Sequence, residues 1–214
     1  MGLSGRELDS LRRGALASGV DLDDAAIANL ARYVDELRRW LPRVNLVSQG
    51  DAASLVERHV VDSLAAAAVL RETPIDATIA DIGSGAGLPG VPLAIVLAPR
   101  RFVLVEPRRK RASFLRAVGR LLEGVSLEVR EARVEKLKVS DLEGKVAAAV
   151  TRATLPVVEF LSGVRPLLGP RGLAIAYRGG SAEDAPECAG FESPRVIAQP
   201  LAAGAHLDVW RRVD

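Results

Sequence analysis

Apolar positions along the first seventy residues recur at spacings of three and four, the pattern of helices that bury one face. Ser4 and Glu7 form a capping-box pair ahead of Leu8 and Leu11, and Gly19 is a natural stop, which predicts a first helix. From Asp21, the positions Ile27, Leu30, Val34, Leu37 and Leu41 predict a second helix, ended by Pro42. A third fits Asp51–Leu70, with Leu55, Val56, His59, Val60, Ser63 and Leu64 on related turns. After Thr73-Pro74 the texture changes. Short apolar runs at Thr78–Ile82, Phe102–Val105, Leu127–Val129, Val146–Val150 and Leu173–Tyr177 predict buried strands, with helical stretches clearest at Arg108–Leu122 and Leu155–Leu168. Such alternation predicts a mostly parallel sheet covered on both faces. Beyond Gly180, Pro194–Gln199 and His206–Arg212 predict an antiparallel edge hairpin, because no helix-length segment separates them. The expected organisation is an N-terminal helical extension over 1–73 and an α/β, Rossmann-like domain over 74–214.

Composition narrows the class. The 214 residues are 49% apolar and 26% charged, a globular balance. A single cysteine, Cys188, excludes an internal disulfide and a Cys-rich zinc site, and two histidines, His59 and His206, argue against a His-based metal centre. Met1–Arg13 is charged by Arg6 and has no apolar core of a leader, so no signal peptide is expected. The longest apolar runs, Leu64–Leu70 and Val91–Ala98, fall well below the roughly 18 residues of a membrane span. A cytoplasmic protein without membrane contact is expected.

The chemistry concentrates in Asp81-Ile-Gly83-Ser-Gly85-Ala-Gly87-Leu88-Pro-Gly90, which follows a predicted strand and opens a helix. Glycines there allow a tight turn and a close backbone approach to a ligand; the plain alternative is a glycine-rich connection that holds nothing. Gly85-Ala-Gly87-Leu-Pro-Gly90 satisfies the dinucleotide pattern G-x-G-x-x-G, with Glu106 about 20 residues on. Asp81-Ile-Gly83-Ser-Gly85-Ala-Gly87 equally suits the acid-x-G-x-G-x-G loop of S-adenosylmethionine-dependent methyltransferases. The edge hairpin and the lack of a further domain favour the second, hence a class I methyltransferase fold. Glu106, closing the second strand, is the candidate acceptor for both ribose hydroxyls, or else a solvated strand-end acid.

Absences bear on the methyl acceptor. Attack through a pyrimidine C5 needs a cysteine near the cofactor, and Cys188 lies beyond the fifth strand. Exocyclic amine chemistry usually shows an Asn/Asp-Pro-Pro-aromatic element after the fourth strand, where this chain has Thr151-Arg152-Ala153-Thr154. A lone pair such as a purine ring nitrogen needs only proximity and alignment.

Charge then points to the partner. The net charge is only +2, yet Arg100, Arg101, Arg108, Arg109, Lys110, Arg111, Arg116 and Arg120 face a single acid, Glu106, within 100–120. That is a local +7, suited to a phosphate backbone, or to a solvated helix face in an arginine-rich chain. Eight aromatics are too few for broad base stacking. Trp40, beside Arg38 and Arg39, reads as a helix-end anchor.

These residues resemble the ribosomal RNA small subunit methyltransferase G family, also called glucose-inhibited division protein B. The resemblance runs from about Leu22 to Arg212. It is carried by Asn45-Leu46-Val47-Ser48, Arg58-His59-Val60-Val61-Asp62-Ser63, the glycine loop, Glu106 followed by Arg109-Lys110-Arg111 and Phe114-Leu115, Arg133-Val134-Glu135, and Thr151-Arg152-Ala153. It implies S-adenosylmethionine as cofactor and methylation of a guanine N7 in 16S rRNA near the decoding site. It also implies cofactor contacts from Gly83, Gly85, Leu88 and Glu106, from Val134 and Glu135 about the adenine, and from Arg152 near the methionine end. Arg152 is further the candidate to orient the guanine, the alternative being a salt bridge within the fold. Arg58, His59, Asp62 and Ser63 read as a polar clasp between helices and sheet, or as substrate contacts. Three departures stand out: Pro107 after Glu106, Thr151 for the usual serine, and Tyr177-Arg178-Gly179 in place of a Lys-Gly ending, with a basic role passing to Arg178. A nicotinamide-dependent oxidoreductase and a non-catalytic rRNA-binding assembly factor are the competing classes. No obligate interface marks the chain, so a monomer is expected.

Overall fold

Ser4 caps the first helix, α1 (Gly5–Ala17): the Glu7 amide donates to its hydroxyl at 3.3 Å while the Ser4 amide donates to the Glu7 carboxylate at 2.9 Å. Asp23 caps α2 (Asp24–Trp40) in the same sense, taking the Ala26 amide at 2.7 Å. The first helix begins at its predicted cap, and α2 begins three residues later than Asp21. The computed structural model describes residues 2–47, 54–142, 144–152, 155–179, 185–199 and 204–213.

The third predicted helix is not one helix. Its start at 51–53 lies outside the described residues, and the rest changes hydrogen-bond repeat three times. A π-helical turn, Leu55–Val60, leads to α3 (Val61–Ser63), a 3₁₀ turn, Leu64–Ala66, and α4 (Ala67–Leu70). The cause is tertiary. Arg152 donates to the His59 carbonyl, the Tyr177 hydroxyl donates to the Ser63 carbonyl and accepts the Ala66 amide, and Ser63 Oγ donates back to His59. Side chains inserted into the i→i−4 ladder break it.

Seven strands follow: β1 (Thr78–Ile82), β2 (Arg101–Val105), β3 (Leu127–Arg130), β4 (Val146–Arg152), β5 (Leu168–Gly179), β6 (Arg195–Ala198) and β7 (Ala205–Arg211). They form one sheet in the order β3-β2-β1-β4-β5-β7-β6. The first five are parallel; β7 runs antiparallel to both β5 and β6. The predicted edge hairpin is present, with its second strand inserted next to β5.

Alternation along the strands assigns two faces. Ile79, Phe102, Val150 and Ile175 pack beneath α4 and α5 (Gly90–Val96), while Ala80, Val103, Ala149 and Ala174 pack against Phe160, Leu161 and Val164 of α7 (Val157–Val164). A further apolar cluster joins Leu30, Val34 and Leu37 of α2 to Val91 of α5 and to Phe114 and Leu115 of α6 (Arg109–Leu121). The helical layer therefore shares a core with the helices that flank the glycine loop. Trp40 anchors its end as predicted, edge-on to Phe114 and donating to Glu36 at 2.7 Å. Among the described residues, no helix is long and apolar enough to cross a membrane.

Candidate active site

The parallel strands β1, β2 and β4 all point their carboxyl ends at one edge, where α/β sheets bind ligands. A cavity of about 460 Å³ opens there, lined by Ile82, Gly83, Val105, Glu106, Pro107, Arg108, Arg111, Arg133, Val134, Glu135 and Leu155 among others. Its size is that of a small-molecule site.

The loop beneath it is fixed by backbone bonds. Gly83, Gly85 and Gly87 have φ of +75°, +55° and +87°, conformations a side chain resists. The Gly83 and Ser84 amides donate to the Val105 carbonyl at 2.8 and 3.1 Å, and Gly87 donates to Ser84 at 2.6 Å. Gly90 is glycine for another reason: a Cβ there would collide with the Asp81 carboxylate and the Leu104 side chain. Its amide donates to Asp81 Oδ2 at 3.0 Å.

Two acids organise the site. Glu106 is buried, and its oxygens accept the Gly85 amide at 2.9 Å and the Arg108 amide at 2.8 Å. It thus ties the glycine loop to the turn after β2 while lining the cavity, and is not a solvated strand-end acid. Asp81 is wholly buried, with Oδ1 lacking a hydrogen-bond partner. Burial pushes its carboxyl up to about 7, against the opposing pull of the Ser84 hydroxyl, the Gly90 amide and the Arg152 charge.

The predicted residues divide. Gly83, Glu106, Val134 and Glu135 line the cavity together. Gly85 acts through its amide on Glu106, and Leu88 is buried in the apolar cluster with Ala86 and Val91, apart from the cavity lining. Arg152, at the end of β4, donates to the His59 carbonyl at 3.2 Å, and its charge is felt by Asp62, Asp81 and Tyr33. The segment Arg58–Ser63 meets the sheet through its backbone, the His59 carbonyl accepting from Arg152 and the Ser63 carbonyl from Tyr177. Burial raises the Asp62 carboxyl, opposed by Arg152 and Arg58. Ser48, Ala153 and Thr154 of the quoted motifs lie outside the described residues.

Beside this cavity is a second of about 470 Å³, lined by Thr151, Leu155, Pro156, Val158, Tyr177, Arg178 and Pro186 among others, at the carboxyl ends of β4 and β5. Arg178 is ion-paired at 3.0 Å to Asp208, a wholly buried carboxylate whose other oxygen lies 3.3 Å from His206 Nε2.

The eight basic residues do not form one patch. Arg100 and Arg101 precede or begin β2, at the end opposite Glu106, about 16 Å away along an extended strand. Arg100 is buried and donates to Thr73 Oγ1 and the Thr73 carbonyl, and Arg101 pairs with Glu128. Arg116 pairs with Glu131. Exposed Arg108, Arg109 and Lys110 sit at the cavity end of β2, where α6 begins, with Arg111 beside them. Linear clustering joined residues that a strand separates.

Sequence reasoning missed Tyr33. It is fully buried in α2 and its hydroxyl donates to the Ala86 carbonyl, inside the glycine loop, at 2.8 Å. Its spacing with Leu30, Val34 and Leu37 reads as core; only the buried phenol oxygen, which needs a partner, signals more.

The arrangement offers an acid and small residues for a diol, apolar walls for a flat ring, and an adjoining second cavity. A family model for rRNA small subunit methyltransferase G matches residues 26–194. A ribosomal RNA small subunit methyltransferase G of Sorangium cellulosum is 40% identical over 168 residues, 78% of this chain and 70% of its own. That of Polynucleobacter asymbioticus is 32% identical over 197 residues, 91% and 88%. Among solved structures, the CurJ carbon methyltransferase superposes with a TM-score of 0.55 at 15% identity, covering 98% of this chain and 71% of that one. A SAM-dependent methyltransferase from Aquifex aeolicus gives 0.51 at 15% identity, covering 68% and 88%. These last two speak for the fold.

Proposed function

The chain belongs to the rRNA small subunit methyltransferase G family, and from that premise we propose that it moves a methyl group from S-adenosylmethionine to N7 of a guanine in 16S rRNA near the decoding site. The observation that carries the cofactor assignment is Glu106, buried at the end of β2, lining the cavity and held through both carboxylate oxygens by backbone amides. The residues suit an adenosyl group: each Glu106 oxygen keeps lone-pair capacity for a ribose hydroxyl, Val105 and Val134 offer apolar walls to a ring, and Gly83 admits close approach. The antiparallel β7 between β5 and β6 departs from the all-parallel 3-2-1-4-5-6 order of dinucleotide-binding sheets.

The bound cofactor supplies a sulfonium methyl open to in-line displacement. A guanine N7 already carries its lone pair, so the chain needs no general base. Its work is alignment. Val134 and Glu135 would hold the adenine and Gly83 would admit close approach of the cofactor, with Gly85 tying the loop to Glu106 and Leu88 packed behind it in the core. Arg152, held by the His59 carbonyl, would stand near the methionine end and orient the incoming guanine. The cavity lined by Thr151, Tyr177 and Arg178 adjoins the cofactor cavity through Leu155, which supports its use by the acceptor. Arg108, Arg109, Lys110 and Arg120 remain exposed for rRNA phosphates. The helical extension, 1–73, serves the methyltransferase domain, 74–214, in a cytoplasmic monomer.

Mapping N7-methylguanosine in small-subunit rRNA from a strain lacking the gene tests the reaction; an unchanged modification overturns it. Calorimetric titration with S-adenosylhomocysteine and with NADH tests the cofactor. Binding of NADH alone would point to the oxidoreductase class. Affinity for rRNA without transfer of labelled methyl would point to an assembly factor.

A further inference from the structure

We propose that Tyr33, a residue of the helical layer, is a positioning residue for the cofactor: its hydroxyl sets the orientation of the Ala86–Gly87 peptide and through it the glycine loop and Glu106. This rests on the cofactor reading above.

The ring of Tyr33 is wholly buried among aliphatic side chains, where phenylalanine would pack equally well. What the hydroxyl adds is one hydrogen bond, 2.8 Å to the Ala86 carbonyl. Burial drives the phenol's ionisation far upward, so it stays a neutral donor across the accessible pH range. The Ala86–Gly87 peptide is thereby held at both ends, its carbonyl by Tyr33 and its N–H by the Ser84 carbonyl at 2.6 Å. Of the two residues that flank this peptide, Ala86 and Gly87, Gly87 is in the left-handed region, as is Gly85 one peptide before, and a glycine there turns at little steric cost. Gly85 in turn donates to Glu106 at 2.9 Å. The chain of contact runs from helix to loop to the acid that lines the cavity.

A second tie reaches the same side of the cavity, where the Arg111 guanidinium lies beside Gly85. Arg111, which lines the cavity, donates through Nη2 and Nε to the Asn45 carbonyl, at 2.8 and 3.2 Å, in the segment after α2. The helical layer and the segment after it therefore meet the loop region at two points, Tyr33 and Asn45.

The test is Tyr33→Phe, which removes one oxygen and keeps the ring. Binding of S-adenosylhomocysteine is measured by calorimetry, and deuterium exchange of residues 83–90 is followed in the protein without ligand. Asn29→Ala serves as the stability control: one turn earlier on α2, Asn29 clamps the Glu123 backbone at 2.9 and 3.1 Å, remote from the cavity lining. Tyr33→Phe is expected to raise Kd about five- to thirtyfold and to speed exchange in the loop, with turnover at saturating cofactor near wild type. Asn29→Ala is expected to lower the melting temperature and leave Kd within about twofold. A Tyr33→Phe affinity within twofold of wild type overturns the proposal, as does an equal rise in Asn29→Ala. A wild type that binds no S-adenosylhomocysteine overturns the cofactor reading beneath it.

Discussion

Asp81 Oδ2 accepts the Gly90 amide at 3.0 Å, so an acid near the end of β1 closes the glycine turn onto the first residue of α5. The two residues are packed so closely that position 90 has no room for a methyl group beside Asp81 and Leu104. Gly90→Ala is therefore expected to destabilise the protein by about 2–3 kcal/mol, the usual cost of forcing a carbon into a filled core. Urea denaturation measures it. A loss under about 0.5 kcal/mol would show that the turn yields easily.

The same acid makes stability depend on pH. Burial raises the Asp81 carboxyl to about 7, whereas in the unfolded chain it titrates near the ordinary value of about 4. Between those values the folded protein holds a proton that the unfolded chain has released. Its contribution to stability is thus greatest near pH 4 and declines as pH rises to 7, by at most about 1.4 kcal/mol per unit. Asp81→Asn keeps an acceptor for Gly90 and does not titrate. The difference in unfolding free energy between wild type and Asp81→Asn is expected to shift in favour of the variant from about pH 5 to about pH 8. A difference independent of pH would remove Asp81 from this role.

Glu106 meets two backbone donors with its two oxygens. Glu106→Gln replaces one acceptor by an NH₂ group, which sets donor against donor at Gly85 or at Arg108 and also removes the charge. Affinity for S-adenosylhomocysteine is expected to fall about tenfold to a hundredfold, with two charge-assisted bonds weakened. Calorimetry reads this directly, and an affinity within twofold of wild type would contradict the assignment of Glu106 to the ribose.

How much of this is visible in the sequence depends on the range of the interaction. β1 was legible residue for residue, because an apolar run bounded by a turn has one reading. The apolar run predicts β5 over Leu173–Tyr177, yet the strand extends over Leu168–Gly179, since Gly169-Pro170-Arg171-Gly172 has turn composition, and Arg171 indeed has φ of +55°. The continuous third helix failed for a different reason. The side chains that break it, Arg152 and Tyr177, come from strands some ninety and more than one hundred residues away. Glu106 and the glycines were legible because loop and strand end meet within 21 residues. Tyr33 was not, as nothing local distinguishes a phenol that spans 53 residues to Ala86 from one more core position.

The division of the basic residues makes two opposite forecasts. Arg100 is buried against the Thr73 backbone, so Arg100→Ala is expected to cost about 1–3 kcal/mol of stability through the carbonyls it leaves unpaired. Its effect on RNA affinity at equal folded concentration should be slight. Arg109 and Lys110 are exposed at the start of α6, and replacing both by alanine should leave stability within about 0.5 kcal/mol. RNA binding should weaken, and the slope of log affinity against log salt should fall by about one per charge removed. Filter binding across a salt series checks both. Equal loss from the two variants would restore a single patch.

Arg178, next to last in β5, stands at the wall of the second cavity. Asp208 is wholly buried and takes its guanidinium at 3.0 Å, with His206 on the carboxylate's other side at 3.3 Å. Burial raises the Asp208 carboxyl, and His206 and Arg178 beside it oppose that rise. A buried carboxylate is costly, and apolar residues would hold a sheet edge as well or better, so stability alone does not account for it. It does account for a guanidinium held in one place at the wall of the second cavity. Asp208→Asn keeps the shape and an acceptor but releases the charge that fixes Arg178. The expected result is a KM for rRNA raised roughly fivefold or more, while affinity for S-adenosylhomocysteine stays within about twofold. If both constants change together, Asp208 supports the fold as a whole; if neither does, Arg178 does not meet the acceptor.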